Sequence, residues 1–392
     1  MINKSQAATI DMYNVSHVNR REIMKKIITV VVALFSSLFL MGSFVPAIVA
    51  EEEIPEITVG WNKDLHSGIF QLAFELPEEF ENNTTYLRPV GDTRLELVHE
   101  GEVIAYVNHV LTKGGSESVT MMAQGQLDMG GSSSTAYIQA YDSGNEIQIL
   151  SPLQNGGISI VAEKDAAYNT FSEFVEYAKK SEQPVLAGYH SAISAPRVIF
   201  EYALLDEGLK VAQDTSDLEA DVVLMDLKGQ SNLVPSLMSG QVEVFPAPQP
   251  YPQMAVNQEV GKIIEELNTL QDGKWENFPC CTMNASKEMI ENHPEIVQAM
   301  MQVTTDIADF ATENPDRVAE ALSEYLGLDA EILANNETVY STKITDQFKR
   351  GMEIYVEFLN EMNKFEGRLA GKSFEEVEKE VFDYTFSENA NQ

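Results

Sequence analysis

The sequence predicts an α/β fold of two lobes facing each other across a cleft, followed by a helical C-terminal region. Three observations carry that expectation: an internal repeat, an alternation of strand and helix patterns up to about residue 250, and helical periodicity almost throughout residues 286–386. In the repeat, GGSESVTMMAQGQLDM from Gly114 returns as GQSNLVPSLMSGQVEV from Gly229, so that Gly114, Ser116, Val119, Gly125 and Gln126 meet Gly229, Ser231, Val234, Gly240 and Gln241. In each copy a glycine and a serine open an apolar helical pattern and a glycine closes it, as helix caps do. A short strand follows, residues 127–129 or 242–244, and runs into an irregular loop. Helix N-termini carry free N–H groups and loops beyond strand ends bind ligands, so two such units facing each other make a cleft.

Residues 1–50 stand apart. Arg20, Arg21, Lys25 and Lys26 precede an apolar run over residues 27–45, then Pro46, small residues up to Ala50 and three glutamates. This reads as a secretory signal peptide cleaved after Ala50. The run holds about 18 apolar residues, so an uncleaved membrane anchor is the alternative. Met24 is a more natural start than Met1, and the largely polar residues 1–23 read as a misassigned start or a disordered tail. The expected location is periplasmic or extracellular, or membrane-anchored where the signal is retained.

Residues 1–50 hold five of the 26 basic and two of the 61 acidic residues, which leaves 21 against 59, a net charge near −38 over 342 residues. Such a surface repels nucleic acid and anionic lipid. With 44 % hydrophobic residues the chain has material for a core, which argues against disorder. Self-repulsion of this size is best tolerated in high salt, where charges are screened over a few Å, so a salt-loving source is expected. Cys280 and Cys281 are the only cysteines and are adjacent, which excludes a disulfide framework. Two small apolar residues in a buried strand is the first reading; a vicinal disulfide or half of a metal site are the alternatives.

In chain order, residues 57–61 form a strand, 62–68 a turn and 69–76 a helix, the first half of a βαβ unit. Residues 86–110 alternate enough for two or three strands. After the first repeat copy come the hydroxyl run Ser132 to Thr135, a helix over 136–142, and strands over 147–151 and 158–161 separated by Pro152 and the pair Gly156 and Gly157. Two strands broken by a Gly-Gly turn suit a hinge between lobes. A helix over 171–179, a strand over 184–188 and a helix over 197–205 follow, with Pro196 in the first turn, where its missing N–H costs nothing. Residues 221–225 are another strand, and the second repeat copy comes next. Four prolines in residues 246–252 forbid helix and read as a stiff connector back to the first lobe. The expected division is lobe 1 at 57–152 and 251–392, with the C-terminal helices, and lobe 2 at 157–248.

With these parts in place, the chain resembles the substrate-binding proteins of ABC importers, in particular the nitrate, sulfonate and taurine group, which includes thiamine-pyrimidine binders. Three patterns carry the resemblance: Gly125-Gln126-Leu127-Asp128-Met129-Gly130 before small residues; Ser239-Gly240-Gln241-Val242-Glu243-Val244 before the prolines; and Asn292-His293-Pro294-Glu295 with Asn314-Pro315 and Tyr325-Leu326-Gly327 downstream. It implies a periplasmic-binding-protein-like fold of type II, a monomer that binds a small molecule, and as partners a membrane permease with its separate ATPase subunit. The Leu-Lys-Gly-Lys signature common before the second-lobe strand is missing, and Ser181-Glu182-Gln183-Pro184 stands there instead.

By the logic of that resemblance, contacts come from loops at strand ends: His66 and Ser67; Gly115 and Ser116; Ser132, Ser133, Ser134 and Thr135; Gly157; His190, Ser191 and Ser194; Gln249 and Tyr251. Backbone N–H groups and hydroxyls suit an oxyanion. The hydroxyl run is either such a contact or an ordinary polar helix start. His66 and His190 flank the cleft, one per lobe. Trp61 and Tyr189 are core or rim residues before they are stacking platforms, and Arg94 and Arg197 are surface ion pairs before they are anion clamps. No metal or cofactor is expected, and no catalytic residues: neither a Ser/His/Asp order nor a phosphate loop is present. The expected function is capture of a small ligand, an organic anion such as a sulfonate or carboxylate, or nitrate, for an ABC importer. The alternative is a thiamine-pyrimidine precursor binder or a related pyrimidine-synthase-like enzyme.

Overall fold

The structure is a computed structural model and describes residues 53–334 and 338–392. The expected signal peptide over residues 1–50 lies outside the described residues. No helix among the described residues is long and apolar enough to cross a membrane.

Period-two burial builds the first sheet. In β1 (Glu56–Asn62) Ile57, Val59 and Trp61 are buried. The following strands are β2 (Thr85–Pro89), β3 (Arg94–His99), β4 (Glu102–Thr112), β5 (Met129–Ser133) and β6 (Ile147–Asn155). Then come β7 (Ile158–Glu163), β8 (Val185–Tyr189), β9 (Val211–Ala212), β10 (Val222–Asp226), β11 (Val244–Pro248) and β12 (Gly261–Glu266). The last two are β13 (Pro279–Ser286) and β14 (Val339–Tyr340). The eight-stranded sheet runs β14-β6-β13-β5-β1-β4-β3-β2, and the six-stranded sheet runs β12-β7-β11-β8-β10-β9. Parallel pairs β1–β4 and β1–β5 sit at the centre of the first sheet, and parallel β8–β10 in the second. The stretch expected to hold two or three strands holds three, an antiparallel meander that extends the first sheet to its edge.

The repeat is structural. Gly114 and Gly229 share an almost identical backbone twist, φ 137° and 139°, which only glycine adopts without strain. They open the helix Gly115–Ala123 and the pair of turns Gln230–Asn232 and Leu233–Met238. Gly125 and Gly240 close them at φ 65° and 69°, with Gln126 N–H bonding Met121 O and Gln241 N–H bonding Ser236 O, both at 2.9 Å. Asp128 and Glu243 then each lend a side-chain oxygen to the N–H of a neighbouring strand residue, Thr58 (2.7 Å) and Leu186 (3.3 Å). Two details differ from expectation. No serine side chain caps either helix, the N-cap being glycine itself; and the strands start at Met129 and Val244, where they were expected to end, although Asp128 and Glu243 already bond the sheet through their N–H groups, to Thr58 O (2.9 Å) and Leu186 O (2.8 Å).

The chain passes from the first sheet to the second at Gly156 and Gly157, φ 68° and 66°, between β6 and β7. β6 itself runs through Pro152 to Asn155, beyond the expected break. The return does not lie at the prolines. Residues 246–248 belong to β11, and Tyr251–Asn257 is a helix with Pro252 in its first turn, where proline is tolerated. In β11 the ladder to β8 ends at Val244, so Pro246 and Pro248 can turn their missing N–H groups to an edge that demands none. Since β12 pairs with β7 in the second sheet, residues 251–266 go with the second half, not the first. The chain returns over residues 267–278, anchored by buried Trp275 in edge contacts with Tyr202 of one half (5.8 Å) and Phe358 of the other (5.3 Å).

The C-terminal region is helical as expected: Lys287–Asn292, Pro294–Glu313, Pro315–Leu326, Ala330–Ala334, Asp346–Glu361, Phe374–Val381 and Thr385–Ala390. Pro294 and Pro315 sit at helix starts, and Gly327 ends its helix in the left-handed region at φ 74°.

Candidate ligand-binding cleft

Loops at the strand ends of the two sheets meet face to face. After β1, Asp64 folds the turn by accepting the N–H groups of His66 (2.9 Å), Ser67 (2.9 Å) and Gly68 (3.3 Å). Ser67 Oγ accepts the Asn62 N–H at 2.9 Å. The turn pins His66, 1 % exposed, so that Nε2 lies 2.9 Å from Gly157 O at the crossing. The other Asp64 oxygen accepts Gln230 Nε2 from the second half at 2.9 Å.

After β5 the hydroxyl run splits by direction. Ser133 Oγ accepts the Ala195 N–H (2.8 Å) and Thr135 Oγ1 donates to Ile193 O (2.7 Å), both across the cleft. Ser134 instead donates into its own half, to Pro279 O and Cys280 O. Ser132 Oγ is fully buried with no partner. Gly115 packs on this run: a Cβ there would lie 2.6 Å from Ala136 Cβ and 3.3 Å from Ser133 Cβ. Ser116 meets Ser191, Oγ to Oγ 2.7 Å, and Ser194 closes the 191–194 turn by donating to Ser191 O at 2.9 Å.

His190 is buried and its Nδ1 is unpartnered. Burial disfavours its charged form and lowers its pKa to about 4, so the ring is neutral. His66 goes the other way: burial opposes its protonation, but a hydrogen bond to Cys281 and the Asp64 charge outweigh that and raise its pKa. Gln249 exchanges backbone hydrogen bonds with Gly157 and Leu65, at 2.9 Å each, while its Oε1 has no partner. Tyr251 donates to Lys63 O (3.0 Å) and lines a separate depression of about 270 Å³ with Val234 and Met254.

Ser116, His190 and Ser191 line a cavity of about 200 Å³ at the cleft mouth. Gly114 and Gly229, the two repeat glycines, stand on its opposite walls, with Lys113 and Glu117 on one side and Asp226 and Lys228 on the other. The amines are exposed and pair locally, Lys228 with Asp226 at 2.6 Å and Lys113 with Glu117 at 3.8 Å. Sequence reasoning missed Asp64, Gln154 and Gln230, as well as these four charges; the constant shift of the repeat pointed to Gln230, next to Gly229, but nothing local marked Asp64 or Gln154. Arg94 pairs at the surface with Glu56 (2.7 Å), as expected, whereas Arg197 is buried against Glu201 (2.8 Å). Trp61 is a core residue, stacked on His109 at 3.4 Å. Cys280 and Cys281 are free, buried and in strand β13.

Residues 99–324 match the NMT1-like family. The chain belongs to that family. Among solved structures, the NMT1-like chain is similar to the periplasmic nitrate-binding protein of Synechocystis, with a TM-score of 0.65 and 14 % identity over 87 % of this chain and 89 % of that one. It is similar to the alkanesulfonate-binding protein of Xanthomonas axonopodis bound to MOPS, with a TM-score of 0.58 and 11 % identity over 80 % and 95 %. It is also similar to a Candida albicans protein described as having the generic periplasmic binding protein fold, with a TM-score of 0.57 and 11 % identity over 84 % and 96 %. The comparison with curated proteins gave no match. The NMT1-like chain thus has the two-lobed α/β fold of periplasmic binding proteins with a helical C-terminal region.

Proposed function

We propose that the protein is an exported solute-binding protein, not an enzyme, that captures a small ligand between its halves and delivers it to the permease of an ABC importer driven by a separate ATPase subunit. One observation carries this reading. Ser132 Oγ, Gln154 Oε1, Gln249 Oε1 and His190 Nδ1 are buried polar atoms without partners, contributed by both halves around one cleft. Each unpaired group costs roughly 1–3 kcal/mol, a cost that a ligand repays when the halves close on it. Residues 1–50 serve as the export signal in this reading.

For the ligand we favour a small anion of the sulfonate or carboxylate kind, or nitrate. The mouth cavity of about 200 Å³ is smaller than the roughly 300–1,000 Å³ of drug-sized sites. The start of helix Gly115–Ala123 faces it, and Lys113 and Lys228 are exposed enough to turn inward. The two bacterial relatives named above bind nitrate and alkanesulfonate by their descriptions. A second reading, a neutral pyrimidine-like ring, is favoured by the uncharged set of Ser132, Gln154, Gln249 and neutral His190. A thermal-shift panel of nitrate, sulfonates, carboxylates, pyrimidines and compatible solutes in molar salt tests both. A ligand at a hundredfold excess over its Kd raises stability by ~2.7 kcal/mol. Response to pyrimidines alone would replace the anion reading, and silence across the panel would refute the transport role.

A further inference from the structure

The floor of the cleft holds a cluster that the solute-binding reading does not use. His66 Nδ1 lies 3.4 Å from Cys280 Sγ and 4.0 Å from Cys281 Sγ, and the two sulfurs are 3.8 Å apart. All three residues are at least 97 % buried. We propose that His66, Cys280 and Cys281 form a binding site for one thiophilic d10 cation, Cu(I) foremost, with Zn(II) as its chemical neighbour.

Three features of the geometry support the assignment. Adjacent residues of a regular strand point to opposite faces, so neighbouring cysteines should not share a partner. Here the pairing of β13 with β6 slips on both sides of Cys281, and such irregularities re-aim side chains, bringing both thiols to the same imidazole. The ring is oriented from behind: Nε2 faces Gly157 O at 2.9 Å, which makes Nε2 the protonated nitrogen and leaves the Nδ1 lone pair toward the sulfurs. Donation of the second ring N–H to a carbonyl is how metal-binding histidines are usually held. The spacing also fits. Separations of 3.4, 3.8 and 4.0 Å define a triangle whose centre is roughly 2.2 Å from each corner, against about 2.3 Å for Zn–S and about 2.0–2.1 Å for Zn–N bonds.

The donor types select the ion. Two thiols and an imidazole are soft to intermediate ligands, which exclude Mg²⁺ and Ca²⁺ and favour Cu(I) or Zn(II). No fourth histidine, cysteine or carboxylate joins the cluster among the described residues, which suits a three-coordinate ion better than tetrahedral zinc. On binding, each thiol releases its proton to solvent and ligates as thiolate, with no change in oxidation state. Since all three donors belong to the first half, the site stands whether or not the cleft ligand is an anion.

The test uses the full chain, reduced and freed of metal under anaerobic conditions. It is titrated with Cu(I) against a chromophoric Cu(I) chelator and, in a parallel arm, with Zn(II) against a zinc chelator. The expected result is one equivalent of Cu(I) per chain, with affinity lower by more than about 100-fold in Cys280→Ala, Cys281→Ala and His66→Gln. One equivalent of Zn(II) with the same losses also sustains the site. Thermal unfolding of each metal-free variant, checked beforehand, separates loss of a ligand from loss of the fold. Absence of stoichiometric binding of either ion, or binding that survives both alanine variants, overturns the proposal and leaves the cluster as S–H to imidazole hydrogen bonds.

Discussion

Three consecutive serines give the sharpest separation of binding from stability, because their hydroxyls point to three different places. Ser132 Oγ is fully buried without a protein partner, Ser133 Oγ accepts the Ala195 N–H across the cleft at 2.8 Å, and Ser134 Oγ donates to Pro279 O and Cys280 O inside its own half. Replacing Ser132 with Ala removes no intramolecular bond, so the ligand-free protein should keep its stability. If that hydroxyl meets a charged ligand, the lost bond is worth roughly 1.5–3 kcal/mol, or about 10- to 150-fold in Kd. Ser134→Ala should cost about 1 kcal/mol of folding stability and leave Kd within about twofold. Ser133→Ala should weaken binding without touching the ligand, since it loosens the closed arrangement alone. Calorimetric titration with the best compound from the panel gives Kd, and urea unfolding of the ligand-free variants gives stability. Unchanged affinity in Ser132→Ala, or an equal loss in Ser134→Ala, would refute this division of roles.

The buried His109, held down to about 4 by desolvation, is neutral in the native state, while in the unfolded chain it protonates near 6.5. Its stabilisation is therefore full above about pH 6.5 and is lost as pH falls toward 4, by a few kcal/mol. His109→Gln should flatten the pH dependence of urea stability in that window, and a slope equal to wild type would contradict it; His190 acts with the same sign, and His66, with a raised pKa, contributes below about 6.5 and loses its contribution above. Arg197→Met should cost about 3 kcal/mol, because it removes one of two cations, the other being Lys364 at 3.2 Å, that hold the buried Glu201 carboxylate; a loss under 1 kcal/mol in urea would show that the pair contributes little. Gly60 and Gly188 occupy matching places beside the two repeat copies, where a Cβ would lie 2.8 Å from Leu127 Cδ1 and 2.6 Å from Leu227 Cδ1. Alanine at either should cost similar amounts, about 1–3 kcal/mol, and a cost at only one would show that the two halves are not packed alike.

What the sequence revealed, and what it hid, follows from the range of the interactions. Gly114, Gly125, Gly229 and Gly240 announce themselves because cap geometry is local and glycine is the residue that fits a positive φ. The same holds for Pro294, Pro315 and Gly327 at the ends of C-terminal helices. Residues 246–252 misled because proline counts alone do not tell a connector from a strand with one unpaired edge; that distinction depends on where the ladder to β8 stops. Among the residues that the facing loops bring together, those next to glycine or serine at loop starts carry a local mark, whereas Asp64 does not, since its role in the turn rests on three N–H groups within that turn and on Gln230, 166 residues away. The meeting of His66 with Cys280, 214 residues apart, leaves no local trace at all.

The central claim is that two halves part to admit a ligand and close on it, since Ser132, Gln154 and Gln249 are at most 3 % exposed and cannot be reached otherwise. It is tested by pulsed electron–electron distance measurement between nitroxides on cysteines placed at exposed Thr120, in the first half, and Leu218, in the second, with Cys280 and Cys281 replaced by Ala. The account predicts a broad distribution with a longer component in the ligand-free protein, collapsing to one short distance at saturating ligand. A single distance, identical with and without a ligand that calorimetry shows to be bound, would contradict it.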